Sequence, residues 1–411
     1  FTGFRTTINV DESLEFNDFE IFSNSWKTVA ANDTLVINGD LYLTKGNLFG
    51  SGVIDSKGNV YVSDIFNGGD TGIVNITGDE NSIPRSLFLN GGKVPNLTID
   101  DPNLSIIYNA DTIFRSLTIK NFKDSFEINS KNLTVTLNFT QTGGVFNGSI
   151  GSGIIVVGGE FTISGGTFYA STDLTSFGNH FTQQPGSNFI ANQGKVRFTG
   201  FRTTINVDES LEFNDFEILS TSWKTVAAND TLVVNGDLYL TKGSFSKATT
   251  SGLVMIKKNL YVESDFIGGS VDYLFNGIND QTIASSIVNS FTSGQVRVQN
   301  PLGTLKLNTN ATIQNFSILD LGTVDLYGKD LTVTNLTVDL GGNLKLLGTE
   351  TINGTVNLNI GSTVEYNGVG VSNIIKPWNY VNSKLRINGQ NSVYTLPSNL
   401  SVTNLEILEG I

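Results

Sequence analysis

Residues 1–8 read FTGFRTTI and residues 41–46 read LYLTKG, and both runs return 197 positions later, at 198–205 and 238–243. They belong to one block of 47 residues that occurs twice and differs at four positions: Phe22 and Leu219, Asn24 and Thr221, Ile37 and Val234, Asn47 and Ser244. Each difference exchanges two apolar or two small polar residues, so every position keeps its inward or outward character. A repeat of this length indicates tandem duplication, and internal repeats decide the fold before other signals.

The composition favours a β-rich repetitive chain. Among 411 residues there are 27 Phe and 44 Gly, and strands with Gly and Asn corners suit this mixture better than helices. The lack of Cys excludes disulfides and thiolate-bound metals. A formal charge of −13 without a Lys/Arg cluster argues against nucleic-acid binding, and the lack of an 18-residue apolar run argues against a transmembrane helix. Because the sequence starts inside a motif, we expect a segment of a longer polypeptide.

Pairs of apolar residues spaced by two predict short strands with one inward face. Polar breaks such as Asn-Gly-Asp at 38–40 separate these pairs, and in three of the four clearest cases the apolar residues across the break are three apart. That spacing would turn a straight strand inside out, so a corner must lie at the break. Strand, corner and strand in repetition predict an all-β parallel β-helix (β-solenoid) with a continuous core that includes eight block residues: Leu35, Ile37, Leu41, Leu43, Leu232, Val234, Leu238 and Leu240.

A larger module lies above this pattern, with an aromatic or apolar residue shortly before Gly and an Ile several residues later. Successive starts at positions 1, 76, 198, 275 and 366 are 75, 122, 77 and 91 residues apart. A solenoid tolerates such variation because each coil contacts only its neighbours. We divide the chain into repeat one (1–197), repeat two (198–363) and the start of repeat three (364–411). Residues 172–194 read as loop-rich, and residues 374–381 read as an excursion from the coil.

Two stretches carry a resemblance to a known group of proteins. Residues 275–283 read FNGINDQTI, and residues 399–407 read NLSVTNLEI. With these motifs the chain resembles the giant bacterial β-strand-repeat surface proteins, which are filamentous-haemagglutinin-like adhesins and fibre proteins. The resemblance implies a right-handed parallel β-solenoid, export, and adhesive or fibre-forming use. The duplicated block departs from the start motif, because residues 5–8 read RTTI in place of QTI.

The sequence offers little for catalysis or for metal and cofactor binding. His180 is the single histidine, so a Ser-His triad or a His-based metal site is not expected. Acidic pairs at 11–12, 79–80, 100–101 and 208–209 lack the spacing of a calcium loop and read as solvated corners. Glycine-rich pieces near 151–159 do not introduce a helix and therefore do not read as a phosphate loop. We predict no enzyme activity and no cofactor.

Aromatic residues of the duplicated block are the candidate interaction surface. Tyr42, Tyr61, Tyr239 and Tyr261 alternate with inward apolar residues and are predicted to point outward. Trp26 and Trp223 read as part of a repeated linker. Outward aromatic rings can stack on sugars or on a neighbouring fibre, although they are also good strand formers. The predicted surface consists of four residues: Trp26, Tyr42, Trp223 and Tyr239.

Three functions remain open at this point. The first is a structural segment of an extracellular filament, stalk or hook on the cell surface. The second is an adhesive module that binds a target-cell surface or a polysaccharide. The third, a polysaccharide-degrading β-helix enzyme, is disfavoured because a catalytic coil is rarely duplicated nearly verbatim and no carboxylate cluster converges on one groove. The duplication favours the first, with a bundled or intertwined homo-oligomer as the expected assembly.

Overall fold

The alternating pattern folds into short strands that pair in parallel with strands one coil before and one coil after them. The computed structural model describes residues 1–248, 251–285 and 291–409. These residues contain no helix, and their parallel sheets stack as a β-solenoid of about 19 turns. The predicted all-β parallel β-helix is therefore confirmed.

The chain divides into two compact units, unit 1 (Phe1–Asp208) and unit 2 (Glu209–Ile411). The strands of unit 1 are β1 (Thr6–Ile8), β2 (Ser13–Phe16), β3 (Phe19–Val29), β4 (Thr34–Ile37), β5 (Leu41–Phe49), β6 (Val53–Ser56), β7 (Val60–Val62), β8 (Ile73–Thr77), β9 (Arg85–Leu89), β10 (Lys93–Asp100), β11 (Leu104–Tyr108), β12 (Thr112–Ile119), β13 (Ser125–Glu127), β14 (Leu133–Val135), β15 (Phe139–Gln141), β16 (Val145–Asn147), β17 (Ile155–Val157), β18 (Phe161–Ile163), β19 (Gly166–Tyr169), β20 (Leu174–Phe177), β21 (Phe181–Gln183), β22 (Ser187–Ile190), β23 (Lys195–Phe198) and β24 (Thr203–Asn206).

The strands of unit 2 are β25 (Ser210–Phe213), β26 (Asp215–Val226), β27 (Thr231–Val234), β28 (Leu238–Lys247), β29 (Leu253–Ile256), β30 (Leu260–Gly268), β31 (Asp272–Phe275), β32 (Gln281–Ser285), β33 (Phe291–Val298), β34 (Leu305–Leu307), β35 (Ala311–Ile318), β36 (Thr323–Asp325), β37 (Leu331–Val338), β38 (Asn343–Leu346), β39 (Ile352–Leu358), β40 (Thr363–Tyr366), β41 (Ser372–Ile374), β42 (Asn379–Asn388), β43 (Val393–Thr395) and β44 (Ser401–Glu409). The boundary between the units, after Asp208, falls inside the second sequence block, which begins at Phe198.

The core of unit 1 is built from columns of inward residues in register from coil to coil. One column runs over eight successive coils at intervals of 19 to 23 residues: Leu35, Ile54, Val74, Leu97, Leu117, Phe139, Phe161 and Phe181. All eight are buried. The block residues predicted to be inward are likewise at most 1 % exposed, which confirms the assignment of their faces: Leu35, Ile37, Leu41, Leu43 and their copies in unit 2.

Phenylalanine fills the last coils of unit 1. Phe139, Phe161 and Phe181 stack with centroids 5.2 and 5.0 Å apart and interplanar angles of 13° and 15°. A second stack on β16 and β19 places Phe146 and Phe168 4.6 Å apart at 6°. These spacings match the distance of about 4.8 Å between strands, so register alone brings the rings into contact. Aromatic contacts add to the area that each ring buries.

The core of unit 2 follows the same rule with mostly aliphatic residues. One column passes through Leu232, Val254, Tyr273, Val296, Phe316 and Leu336. Tyr273 is 1 % exposed, and burial raises the pKa of its phenol because the charged form would be desolvated.

Corners are held by Asp and Asn side chains of the preceding coil. Asp18 Oδ1 accepts a hydrogen bond from the backbone nitrogen of Asp40 at 2.8 Å, and Asp40 Oδ1 accepts one from the backbone nitrogen of Asn59 at 3.1 Å. A Cβ on Gly39 would lie 2.2 Å from Asp18 Oδ1, so this corner has no space for a side chain. At corners, carboxylates thus accept hydrogen bonds from backbone N–H groups that would bond to a neighbouring strand elsewhere in the coil.

Three stretches that the sequence marks as irregular differ in how they fold. Residues 172–194 contain β20, β21 and β22, so the prediction of a loop-rich segment was wrong. Residues 375–378 leave the strands, as expected for an excursion. The polar pair Thr334-Asn335, which the apolar spacing marks as a further break, lies inside β37, where Val333 and Leu336 are both inward.

Candidate interaction surface

The four predicted surface residues all lie in strands and point outward. Trp26 is 38 % exposed in β3, Tyr42 is 36 % exposed in β5, and Trp223 is 46 % exposed in β26. Tyr239, in β28, is half-buried. The prediction that the tryptophans lie in a linker was wrong, because β3 and β26 run on through these positions with a register shift just before them.

Tyr42 begins a stack of outward rings along unit 1, the tyrosine column (Tyr42, Tyr61 and Phe88). Register places these residues on successive strands β5, β7 and β9. The centroids of Tyr42 and Tyr61 are 4.9 Å apart at 7°, and those of Tyr61 and Phe88 are 4.6 Å apart at 3°. The Tyr42 hydroxyl donates to Asp40 Oδ2 at 3.1 Å. Partial burial raises the pKa of Tyr42, and the hydrogen bond to Asp40 and its charge add to the rise.

This geometry limits what the tyrosine column can bind. Rings that lie parallel one coil apart cover each other's faces and present their edges and hydroxyl groups to solvent. Sugar rings and cations bind preferentially to the faces of aromatic rings, and inside the column the neighbouring rings already cover those faces. The tyrosine column therefore stabilises the outer wall of the coil and offers edges to a partner.

The second copy of the block has a shorter column. Tyr239 and Tyr261 stack at 5.3 Å and 14° on β28 and β30. The next position in register is Ala284 on β32, where unit 1 has Phe88. Two rings thus replace three.

Trp26 takes part in a separate cluster at the far end of β3. The Arg5 guanidinium lies 4.0 Å from the centroid of the Trp26 ring, and the Phe49 ring meets it edge-on at 5.5 Å. In register Trp26 pairs with Asn47, whereas Tyr42 pairs with Glu20. The structure therefore places the predicted tryptophan and tyrosine of one block in different columns.

A buried lysine in each block escaped the sequence analysis. Lys27 and Lys224 have no exposed surface. Lys27 Nζ donates to Ser23 Oγ at 3.0 Å and to the carbonyl oxygen of Gly3, and Lys224 Nζ donates to Ser220 Oγ at 2.7 Å. Burial lowers the pKa of both lysines, and it lowers the pKa of Lys224 to about 8. Alternation with inward Val29 was the signal that could have identified Lys27 as inward.

The acidic pairs predicted as solvated corners are not all solvated. Asp101 is completely buried and pairs with Arg85, with Arg85 Nε 2.5 Å from Asp101 Oδ2. Arg85 Nη2 also donates to the carbonyl oxygen of Thr77 at 2.7 Å. The expectation of a solvated corner was therefore wrong at Asp101, because Arg85 alternates with Leu87 and Leu89 and so faces inward beneath the corner.

Unit 2 contains a buried cluster of tyrosines around Glu350. The Glu350 carboxylate, 1 % exposed, accepts backbone hydrogen bonds from Leu347 at 2.6 Å and Gly348 at 2.7 Å. Burial raises the pKa of Tyr366 to about 12, and its hydroxyl accepts the backbone N–H of Lys376 at 2.8 Å. The Glu350 carboxylate and the Tyr366 hydroxyl thus both accept backbone hydrogen bonds, and the bond from Lys376 ties the cluster to the 375–378 excursion.

His180 supports a corner. Its Nδ1 accepts the backbone N–H of Thr204 at 3.1 Å. Among residues 1–248, 251–285 and 291–409, no three His, Cys, Asp or Glu side chains come together in a way that could hold a metal ion. In the same residues there is no helix of the length and apolarity needed to cross a membrane.

One open groove in unit 1 has a volume of about 500 Å³. Its lining includes Phe49, Asp70, Lys93 and Arg115, and sequence reasoning missed it because these residues lie 21 to 23 positions apart. Comparison of the chain with protein-family models, curated proteins and solved structures finds no match.

Proposed function

We propose that this chain is a structural repeat segment of a long, secreted, cell-surface fibre-forming protein, such as a filament, stalk or hook, that mediates attachment to cells or surfaces. The observation that supports the proposal most is that both units are stacks of coils, about 19 turns in all, in which a 47-residue block is repeated almost verbatim. Each coil of a solenoid contacts only its neighbours, so adding coils adds length without requiring a new core. A length-building segment needs no unique site.

The proposal places the chain among the giant bacterial β-strand-repeat surface proteins that it resembles, and outside the cell. It also implies that the segment has no catalytic activity. The buried carboxylates of Glu350 and Asp101 already have partners inside the chain, since Glu350 accepts two backbone hydrogen bonds and Asp101 pairs with Arg85.

Localisation can be tested by immunogold electron microscopy of intact cells that make the protein, with antibodies raised against this segment. We expect gold particles along extended appendages outside the cell envelope. Labelling confined to the cell interior would contradict the proposal. Permeabilised cells provide the comparison, since they expose both compartments to the antibody.

Within such a fibre we propose that the outward aromatic residues of the two blocks contact a neighbouring copy in a homo-oligomer. Support comes from the exposure of Trp26, Tyr42 and Trp223 and from the edges and hydroxyl groups that the tyrosine column presents. Exposed aromatic residues are enriched at protein interfaces.

Hydroxyl-radical footprinting of assembled and dispersed protein tests this interface residue by residue. The expected result is protection of Trp26, Tyr42, Trp223 and Tyr239 on assembly. Tyr327, which is 56 % exposed and lies outside the blocks, serves as the reference for an unprotected ring. Full reactivity of the four residues in the fibre would place the contact elsewhere.

A further inference from the structure

The groove in unit 1 crosses five successive coils. Phe49 comes from β5, Asp70 from the connection between β7 and β8, Lys93 from β10, Arg115 from β12, and Thr136 follows β14. Register links these coils in order, because residue 67 bridges Lys93 and Lys93 pairs with Ile113. At about 4.8 Å per coil, the first and fifth lie about 19 Å apart, so the groove suits an elongated ligand along the stack of coils.

Two glycines keep the floor of the groove free of side chains. Gly69 has a φ of +130°, and a Cβ there would lie 1.9 Å from the carbonyl oxygen of Leu48. Gly68 has a φ of +75°, and its Cβ would lie 3.0 Å from the carbonyl oxygen of Lys93. Only glycine satisfies both the left-handed backbone and the close approach, so the backbone forms a bare surface between the charged walls.

The cations of the groove are not neutralised by neighbouring carboxylates. In the described residues, neither Lys93 nor Arg115 has a carboxylate oxygen within ion-pair distance, although Asp70 lies in the same groove. Arg115 Nη1 donates to Asn96 Oδ1 at 3.2 Å, and Asn96 Nδ2 donates to the carbonyl oxygen of Gly72 at 3.0 Å. The guanidinium is thereby positioned with donors to spare. In a chain of formal charge −13, two unneutralised cations beside one carboxylate are a local excess of positive charge.

Phe49 gives the groove an aromatic wall. Its ring meets Trp26 edge-on at 5.5 Å, which fixes its orientation, and it is half-buried. The position 197 residues later, just beyond the second block, is Ser246, and the neighbouring Lys247 is paired with Asp272 at 2.7 Å. The combination of an aromatic ring and unneutralised cations therefore belongs to unit 1.

We propose that this groove binds an anionic oligosaccharide, with its chain aligned along the stack of coils. Arg115 and Lys93 bind carboxylate or sulfate groups on successive sugars, because the guanidinium group of Arg and the ammonium group of Lys form charge-assisted hydrogen bonds with such anions. The Phe49 ring packs against the apolar face of a sugar ring. In a fibre, this site would attach the structural segment to an acidic polysaccharide.

Isothermal titration calorimetry of the whole chain with short oligogalacturonates, sulfated oligosaccharides and neutral cello-oligosaccharides tests the proposal. We expect saturable binding of at least one anionic series and none of the neutral series, with affinity that falls as salt is raised. The carboxylated and sulfated arms distinguish the two sources of negative charge.

Variants then locate the site. Arg115→Gln and Lys93→Gln should each weaken binding by about tenfold or more, and Phe49→Ala should weaken it at every salt concentration. Lys306→Gln is the matched control, because Lys306 is a lysine of unit 2 that already pairs with Asp280 at 2.7 Å. Urea denaturation of each variant confirms that it is folded.

The inference would be overturned by no binding to either anionic series, by equal binding of neutral sugars, or by equal loss of affinity in the control. Binding of single-stranded DNA as tightly as the sugars would also overturn it, because it would reduce the groove to a general polyanion site. The binding results do not depend on where the protein is located. The groove proposal can therefore be contradicted while the fibre proposal stands, and the fibre proposal can be contradicted while the groove proposal stands.

Discussion

The two copies of the 47-residue block fold alike and yet carry different surfaces. Leu41 and Leu238 are both completely buried, and Tyr42 and Tyr239 both point outward. The coils that follow each block determine how far its outer column of aromatic rings extends. Tyr42 leads to Tyr61 and Phe88, whereas Tyr239 leads to Tyr261 and Ala284. In a solenoid a sequence block determines the fold of its own coils. A surface that extends over several coils also depends on the sequences of the coils that follow the block.

The largest effect should come from the core that the copies share. Leu41→Ala and Leu238→Ala should each lower the free energy of unfolding by about 2–5 kcal/mol, because each removes buried methyl groups and leaves a cavity. Tyr42→Ala and Tyr239→Ala should cost much less, since both rings lie on the outside. Urea titration measures all four. A loss at Tyr239 equal to that at Leu238 would show that the faces are wrongly assigned.

A smaller effect should come from the buried lysines. The pKa of Lys224 is lowered to about 8 in the folded chain from an ordinary value of 10.5. Between these values the unfolded chain binds more protons, so stability should rise with pH from about 8 to 10.5. Below pH 8 the cost of burying the charge is fully present. Wild type should therefore gain on the order of 1 to 2 kcal/mol relative to Lys224→Met between pH 7 and 10.

Lys27→Met tests the same linkage in the first copy, where burial also lowers the pKa. Lys123→Met is the control, because that side chain is 56 % exposed. Urea titrations of the three variants at pH 7, 8.5 and 10 give the comparison. If the difference between wild type and Lys224→Met stays constant over this range, Lys224 does not titrate there.

The smallest effect concerns the length of the outer aromatic column. Ala284→Phe should extend the column of unit 2 and add about 0.5–1.5 kcal/mol to its stability, and Phe88→Ala should remove at least as much from unit 1. With these two changes the three-ring column would lie in unit 2 and the two-ring column in unit 1. Thermal unfolding followed by near-ultraviolet circular dichroism reports both the stability and the stacking. Destabilisation by Ala284→Phe would show that the backbone beside Ala284 cannot accept a stacked ring.

The fold could be predicted from sequence because each short strand carries its own alternating pattern. Leu35, Ile37 and their copies were assigned to the core correctly on that basis. Residues 172–194 were missed because strands of three or four residues are too short to show a clear period beside Gly and Pro. Lys27 and Asp101 were missed because charged residues were read as outward even where the period placed Lys27 and the partner of Asp101 inward.

The candidate site was less predictable for a different reason. Trp26, Tyr42, Trp223 and Tyr239 were correctly expected at the surface, but their role as an interface stays a prediction. The groove depends on Phe49, Lys93 and Arg115, which become neighbours only when four coils are stacked in register. Coil lengths that vary by two or three residues hide that register from a reader of the sequence alone.

The register that aligns Leu97, Leu117, Phe139, Phe161 and Phe181 also has a mechanical meaning. Each of these coils stores 20 to 22 residues of chain in one layer of the stack, about 4.8 Å thick. Pulled straight, the same residues span about 70 Å. Backbone hydrogen bonds between coils lie along the stack, so tension applied along it opens one layer at a time. Each layer that opens extends its own residues from about 4.8 Å to about 70 Å while the remaining layers stay folded, so a load is absorbed in steps.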